Sequence, residues 1–286
     1  MLFETPPPEL NNSWKMLLED NMGYRAWLQE LWARYEPYAP SDFQTNIEND
    51  EGKLDSLTWE MLLANNLLNA GFQLEKISSS DSPDLCIKHH SKRVWIECCM
   101  PDKGDPRSMD AVPEKKCDGE FHEVDTGKNT LRYTHALKEK KKQYDSWLSK
   151  GICKTYEPYI IALHGRRLDF SIYNDRLPCI LRALYSVGDI YTTYSRKGGF
   201  VDEGYLLTAK IKKANDSSVD TGFFLTTNNA SISGVIFSKD WGRFSASTSP
   251  KNCYVENIYA INPSPISFGS FMQTYDYTPS YISLKL

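Results

Sequence analysis

Two carboxylates stand near the ends of a short segment that has the pattern of a β-hairpin. The segment runs from Ser82 to Pro101 and reads SPDLCIKHHSKRVWIECCMP. Apolar and polar residues alternate on both sides of its centre, which predicts two antiparallel strands over 84–88 and 93–98. One face of this hairpin is apolar, whereas the other carries Asp84 and Glu97. Two acids on one face indicate a site for a metal cation.

The pairing of the strands decides whether these two acids meet. A two-residue turn at His90 and Ser91 and a four-residue loop around it give the same register. In that register Asp84 is directly opposite Glu97, where Cβ atoms are about 4.5 to 5.5 Å apart. Like charges so close repel each other unless a cation lies between them, and a slip of one residue would change the face of every side chain.

A third acid precedes the hairpin on a predicted helix over 54–70. The apolar stripe of this helix consists of Leu57, Met61, Ala64, Leu67 and Leu68. Gly71 stands where a left-handed residue would end the helix. Glu60 lies at the edge of the stripe or inside it. A buried carboxylate requires a partner or a metal, whereas a glutamate at the edge can reach water, and the sequence leaves both interpretations open.

A strongly basic segment follows the hairpin. Residues 128–154 carry eight basic residues against Glu139 and Asp145; they are Lys128, Arg132, Lys138, Lys140, Lys141, Lys142, Lys150 and Lys154. The pattern predicts a helix over 130–148, on which Arg132, Ala136, Lys140 and Tyr144 share a face with Gln143 beside them. The apolar run 159–163 then predicts a strand buried in the centre of a sheet.

This order of helix, hairpin, helix and strand, with its three acids, resembles the PD-(D/E)-X-K nuclease superfamily. The matching residues are Glu60, Pro83-Asp84 and Glu97-Cys98-Cys99, and the resemblance covers about residues 55–165. It implies a restriction-endonuclease-like core in which Glu60, Asp84 and Glu97 hold Mg²⁺ or Mn²⁺. The metal would activate a water against a phosphodiester, and the family's lysine would stabilise charge or assist the attacking water.

The chain departs from the family at the lysine, because Cys99 occupies its position. A neutral thiol supplies no fixed positive charge, and the loss of one such contact lowers a rate by about a hundred- to a thousand-fold. In members of the superfamily this lysine has migrated to a neighbouring helix, which implies Lys140 for the role, with Arg132 and Gln143 positioning phosphate. Lys103 is a rival, and the basic run is equally typical of a solvated helix face.

The predicted function is metal-dependent hydrolysis of phosphodiester bonds in nucleic acid, with DNA favoured over RNA. The alternative is a catalytically inactive nuclease-like fold that binds a protein or a nucleic acid. Cys99 and the net charge of -4 favour the alternative, because nucleic-acid binding usually requires a basic surface. The three acids oppose it, because an inactive site has no reason to keep mutually repelling carboxylates.

Two other chemistries fit the residues less well. His89, His90, Cys98, Cys99, Cys117 and His122 suggest zinc, but none of their spacings is that of a zinc motif, and neighbours on a strand point to opposite faces. A cysteine hydrolase would use Cys99 as nucleophile with His122 or His135 as base. The acids beside Cys99 would raise its pKa and weaken it as a nucleophile.

The rest of the chain predicts an α/β fold with a central mixed sheet flanked by helices, an N-terminal helical extension and a β-rich C-terminal part. We assign residues 1–52 to the extension, 53–200 to the nuclease-like core and 201–286 to the β-rich part, packed on the same domain. Aromatic residues from Tyr24 to Tyr35 at helical spacing predict a covering helix. A loop is predicted around 48–52, a helix over 175–187, and strands in GYLLTAKI, TGFFLTT, SISGVIFS and CYVENIYAI.

Composition and termini bound the class of protein. The 286 residues are 41% hydrophobic and 24% charged, which is typical of a folded globular chain. The odd number of cysteines suits reduced thiols, and MLFETPPPEL lacks the pattern of a secretory signal. We therefore expect an intracellular, cytoplasmic protein without a membrane span, although signal-less export stays open. We expect most of the aromatic residues in the region 191–205 to pack in the core or on the surface. The alternative is that they stack on bases beside a phosphate contact; the residues concerned are Tyr191, Tyr194, Phe200 and Tyr205, near Arg196 and Lys197.

Overall fold

The computed structural model describes residue 2 and residues 22–79, 81–114, 125–168, 177–239, 252–270, 272–278 and 281–285. Within them are the helices α1 (Met22–Tyr35), α2 (Phe43–Asn49), α3 (Leu54–Asn69), α4 (Thr126–Ser149) and α5 (Ile180–Tyr185). The strands are β1 (Gln73–Glu75), β2 (Leu85–His89), β3 (Lys92–Cys99), β4 (Tyr159–His164), β5 (Val187–Tyr194), β6 (Phe200–Leu207), β7 (Lys210–Lys212), β8 (Ser218–Asp220), β9 (Gly234–Ser238), β10 (Cys253–Glu256), β11 (Gln273–Thr278) and β12 (Tyr281–Lys285).

The centre of the fold is an eight-stranded sheet in the order β1-β2-β3-β4-β9-β10-β11-β12. The strands β3, β4 and β9 are parallel neighbours, as are β10 and β11, and the remaining pairs are antiparallel. Because β3 and β4 are parallel, the chain between them must cross over the sheet, and α4 lies in that crossover. The predicted α/β class, with a central mixed sheet flanked by helices, is confirmed.

Successive side chains along each strand point to opposite faces of the sheet, so the interior is divided into two cores, one on each face. On β3, Val94, Ile96 and Cys98 belong to the core that contains α1, α2 and α3. Trp95 and Cys99 belong to the opposite core, which contains α4 and α5. The side chains of β4 are buried on both faces, as expected for a strand in the middle of a covered sheet.

The hairpin has the predicted register. Leu85 pairs with Ile96, Cys86 with Trp95 and Lys88 with Arg93, while His89 pairs with Lys92. The connection is therefore the two-residue turn, and His90 takes a positive φ of 52° there. The face opposite the apolar one is not open to water, however, because Cys86 and Trp95 are buried beneath α4. Glu97, on the same face of β3 as Trp95, thus lies under this helix.

The helices that flank the hairpin begin and end where local chemistry requires it. Gly71 has a φ of 87°, which is the left-handed residue that the sequence predicted at the end of α3. The N–H of Phe72 donates to the Leu67 carbonyl at 3.0 Å, so the ending is a Schellman motif. Helix α4 starts four residues earlier than predicted, because the Asp125 side chain accepts from the Lys128 N–H at 2.9 Å. Both helices are thereby fixed at one end.

Three local predictions are wrong. The predicted loop around 48–52 is largely helical, since α2 reaches Asn49 and a 3-10 turn follows over Glu51–Lys53; Phe43 and Ile47, spaced by four, are buried there. The predicted helix 175–187 is shorter, because Ser186 takes a left-handed φ of 58° and ends α5. TGFFLTT forms 3-10 turns over Phe223–Leu225 and Thr227–Asn229 instead of a strand.

Two small antiparallel ribbons lie outside the large sheet. They are formed by β5 with β6 and by β7 with β8. On the first ribbon Tyr194 and Phe200 are 63% and 64% exposed, whereas Tyr205 packs against the core beneath α4. The C-terminal strands β9 to β12 continue the large sheet beyond β4, and of these the last two had no prediction. No helix in the described part of the chain is long and apolar enough to span a membrane.

Candidate active site

Asp84 and Glu97 meet at the open end of the hairpin. Asp84 directly precedes β2, and its N–H donates to Glu97 Oε2 at 3.3 Å. The Asp84 carboxylate turns towards β3, where its Oδ2 accepts from the Cys98 N–H at 2.7 Å. Glu97 is buried, at 3% exposure, and Asp84 is half-buried. The hairpin register therefore brings two carboxylates into one hydrogen-bonded unit.

Lys140 reaches the same unit from α4. Its Nζ lies 2.6 Å from Glu97 Oε1 and donates to Gln143 Oε1 at 3.0 Å. The side chain of Lys140 is 23% exposed, and Gln143 is exposed, so this corner of the site faces solvent. A helix residue 43 positions away in sequence thus puts a cation where the motif position itself carries Cys99.

Glu60 approaches the acids from α3 and is held by a residue that the sequence did not single out. It is 4% exposed, and its Oε1 accepts a hydrogen bond from the hydroxyl of Tyr35 on α1. The sequence placed Tyr35 only in an aromatic stripe. The signal that could have identified it is its hydroxyl, because a buried tyrosine usually finds a hydrogen-bond partner.

Burial raises the pKa values of all three acids, and repulsion by neighbouring carboxylates adds to this for Glu60 and Glu97. Burial raises the pKa of Glu60 well above its ordinary value, and the charge of Asp84 adds to this, whereas the Tyr35 hydrogen bond acts in the opposite direction. Burial likewise raises the pKa of Asp84 despite Lys140 and the Cys98 N–H. For Glu97, burial and then Asp84 raise the pKa to about 8. The three carboxylates therefore sense one another electrostatically.

The other titrating groups have distinct protonation states. Burial is the largest influence on Lys140 and by itself lowers its pKa, but the neighbouring acidic groups, Glu97 first, together outweigh it and the pKa is raised overall. Lys140 therefore stays a cation at neutral pH. Burial raises the pKa of Cys99 to about 12, so this thiol is protonated and is a poor nucleophile. His135, a base considered for it, lies exposed on α4, and His122 is outside the described residues.

The acids provide a donor set for a hard divalent cation. As arranged, no group of three or more His, Cys, Asp or Glu side chains among the described residues could hold a metal ion. Mg²⁺, however, keeps several waters and is commonly bound through one or two carboxylates plus substrate phosphate. Asp84 and Glu97 fit that pattern, because an ionised carboxylate has about four acceptor positions and both retain unused ones.

Of the candidate zinc ligands, Cys117 lies outside the described residues.

Arg132 and Lys103 have other partners. Arg132 donates from Nε to the Asp102 carbonyl at 2.8 Å and also pairs with the Asp102 carboxylate. Arg132 lies on α4, two turns before Lys140. Its partner Asp102 lies at the start of the loop that follows β3. Lys103, the rival cation, pairs with Glu114. Lys140 is thus the cation that the structure places against Glu97.

The Tyr35–Glu60 hydrogen bond should contribute measurably to stability. We expect Tyr35→Phe to lower the free energy of unfolding by about 1 to 3 kcal/mol, because a buried carboxyl group loses its donor. Urea unfolding followed by circular dichroism measures this, with Tyr38→Phe as the matched control, since Tyr38 is less buried and lies one turn further on. Equal stabilities of the two variants would show that the Tyr35 hydroxyl contributes nothing.

Comparisons with protein-family models, with curated proteins and with solved structures found no match to this chain.

Proposed function

We propose that the protein is a metal-dependent nuclease with a restriction-endonuclease-like core, which hydrolyses phosphodiester bonds in nucleic acid, with DNA favoured over RNA. The observation that carries this proposal is the contact of Lys140 Nζ with Glu97 Oε1 at 2.6 Å. It supplies, from α4, the positive charge that Cys99 cannot supply. A lysine on a solvated helix face would have no reason to be held against a buried acid.

The architecture supports the same proposal. The hairpin β2–β3, the crossover helix α4 and the parallel strand β4 occur in the order that the resemblance implies. Glu60 approaches from α3, the helix before the hairpin. Asp84 and Glu97 would hold Mg²⁺ or Mn²⁺, with Glu60 as the third predicted ligand. When bound, the metal would lower the pKa of a water and neutralise charge on the phosphate.

The protein's own groups would divide the remaining work. Lys140 is protonated, so it stabilises the negative charge that develops on the phosphate and does not act as a base. Gln143 accepts from Lys140 Nζ and fixes its direction. The N–H of Cys98 holds the Asp84 carboxylate, and Tyr35 holds Glu60. Lys140, Asp84 and Glu60 are thus each oriented by a second residue.

One observation favours the alternative function, an inactive nuclease-like module that binds a protein or a nucleic acid. The acids already have internal partners, namely Lys140 for Glu97 and Tyr35 for Glu60. Such a network can be purely structural. The two functions differ in metal binding and in cleavage, and one experiment separates them.

We would titrate Mg²⁺ and Mn²⁺ by calorimetry into the wild type and Asp84→Asn, and assay cleavage of linear and circular DNA and of RNA with the same samples. Asparagine keeps an acceptor for the Cys98 N–H but removes the charge. We expect wild-type metal binding and cleavage, and at least a tenfold loss of metal affinity in Asp84→Asn. Asp81→Asn is the control, because Asp81 is exposed and pairs with Lys150 at 2.7 Å.

The absence of metal binding and of cleavage by the wild type would overturn the nuclease proposal and favour the binding module. Metal binding that survives in Asp84→Asn would show that the metal site does not lie at the hairpin acids.

A further inference from the structure

A cleft of about 260 Å³ lies beside the N-terminal half of α4, away from the three acids. Three segments form it: the loop after β3, the helix itself and the ribbon β7–β8. One contact holds the loop to the helix and another holds it to the ribbon. Arg132 binds Asp102 at its start, and Asp110 accepts from the Ala214 N–H at 2.8 Å. The walls of the cleft are therefore fixed by long-range contacts.

Gly104 allows the loop to approach Arg132 closely. It has a φ of 90°, and a Cβ there would come within 3.3 Å of Arg132 Nη1. The guanidinium is thereby placed at the edge of the cleft. Because Arg132 shares a helix face with Lys140 and precedes it by eight residues, the separation along the helix axis is about 12 Å.

The lining of the cleft favours an anion. Lys138 and Lys213 contribute two positive charges, His135 adds an imidazole ring, and Arg132, which also lines the cleft, is paired with Asp102. The two acids in the lining already have partners. Asp105 pairs with Arg107 at 3.0 Å, and the carboxylate of Asp110 accepts a backbone N–H. Lys138 and Lys213 thus bring cations to the lining from two different segments of the chain.

A buried hydroxyl in the same lining lacks a partner. Thr134 is 1% exposed, and its Oγ1 has no hydrogen-bond partner among the described residues. Buried polar atoms are nearly always hydrogen-bonded, so an orphan atom in a cleft indicates a missing ligand or water. A hydroxyl beside lysine and arginine side chains is a common set of donors for phosphate oxygens.

We propose that this cleft binds a backbone phosphate of the nucleic-acid strand whose scissile phosphodiester lies at Lys140. This inference rests on the proposed function and extends it to substrate binding. Phosphates of one strand are about 3.4 Å apart along a B-form axis. The lining residues on α4 run from Leu131 to Lys138, which lie about 14 to about 3 Å from Lys140 along the helix axis. The bound phosphate would therefore lie within about four nucleotides of the cleaved bond.

The test is binding of fluorescent 16-nucleotide single-stranded and duplex DNA, measured by anisotropy over a range of salt concentrations. All variants carry Asp84→Asn, so that cleavage does not interfere. We expect Lys138→Gln with Lys213→Gln to weaken binding about tenfold and to reduce the slope of log K against log salt by about one. Lys142→Gln with Lys92→Gln is the control, because it removes equal charge at exposed positions outside the cleft.

Equal affinities and slopes for the cleft variant and the control would overturn the inference. Titration of inorganic phosphate by calorimetry distinguishes a site for a small free anion from a site for a nucleic-acid phosphate. If the cleft variant loses phosphate binding but its DNA binding is unchanged, the nucleic-acid assignment is overturned. Failure of the proposed function gives another pattern, in which the wild type does not cleave although the cleft variant still weakens DNA binding. Urea midpoints of each variant control for folding.

Discussion

Replacing Lys140 with methionine is expected to lower kcat for DNA cleavage by a factor of about 100 to 1,000, with little change in KM. The ammonium group lies 2.6 Å from Glu97 Oε1 and is the cation that we propose for the role of the motif lysine. Its charge matters most when negative charge develops on the phosphate, so its loss should appear in kcat and in kcat/KM alike. Methionine keeps most of the buried stem.

Steady-state cleavage at several DNA concentrations measures this effect, and Lys142→Met is the control on the same helix. Lys142 is exposed, so its replacement should leave kcat within about twofold of the wild type. Glu97 loses its cation in Lys140→Met, but its pKa of about 8 allows it to become protonated near neutral pH, which limits the damage to folding. Unchanged kcat in a folded Lys140→Met protein would exclude this lysine and make Lys103 the next candidate.

The metal-free protein is expected to lose stability as pH rises from about 4.5 to about 8. Burial and the charge of Asp84 raise the pKa of Glu97 from 4.5 to about 8, and the pKa values of Glu60 and Asp84 are raised as well. Between the unfolded and folded values the native state binds more protons than the unfolded state. Stability is therefore fully present below about pH 4.5 and is lost as pH rises, by up to about 1.4 kcal/mol per pH unit for one such group.

Urea unfolding in the presence of a chelator, at intervals between pH 5 and 8.5, measures this slope. Glu97→Gln should flatten it, because the titrating group is gone, whereas Glu139→Gln on the exposed face of α4 should leave it unchanged. Mg²⁺ should restore stability most strongly at the alkaline end, since carboxylates bind a metal in their deprotonated form. A slope that is equal in the wild type and Glu97→Gln would show that the acids do not titrate as their burial implies.

Several features of the site follow from short-range patterns in the sequence. The alternation on either side of His90 and Ser91 determined the register that brings Asp84 and Glu97 together, because a strand has a side-chain period of two and the turn allowed one pairing. The apolar stripe that ends at Gly71 determined α3, and with it the position of Glu60. The four-residue spacing that placed Lys140 on the face of Arg132 and Tyr144 likewise depends only on the helix period.

Other features depend on contacts between distant segments and have no local signal. Tyr35 lies 25 residues from Glu60, and nothing in its neighbours indicates that α1 packs where the acids meet. Arg132 was predicted beside the phosphate, but Asp102 binds it at the edge of a separate cleft. The burial of Cys86 and Trp95, and with it the raised pKa values of the acids, depends on how α4 lies over the sheet.

The division between the features with a local sequence signal and those that depend on distant contacts has a physical reason. The sequence by itself determined most of the secondary structure around the site and the hairpin register, because these depend on periodicity and turn chemistry within a few residues. Only the tertiary structure decided which cation reaches Glu97, which hydroxyl holds Glu60 and where a second cleft opens. Those outcomes depend on the packing of whole helices and loops, which sets distances and desolvation between groups far apart in the chain.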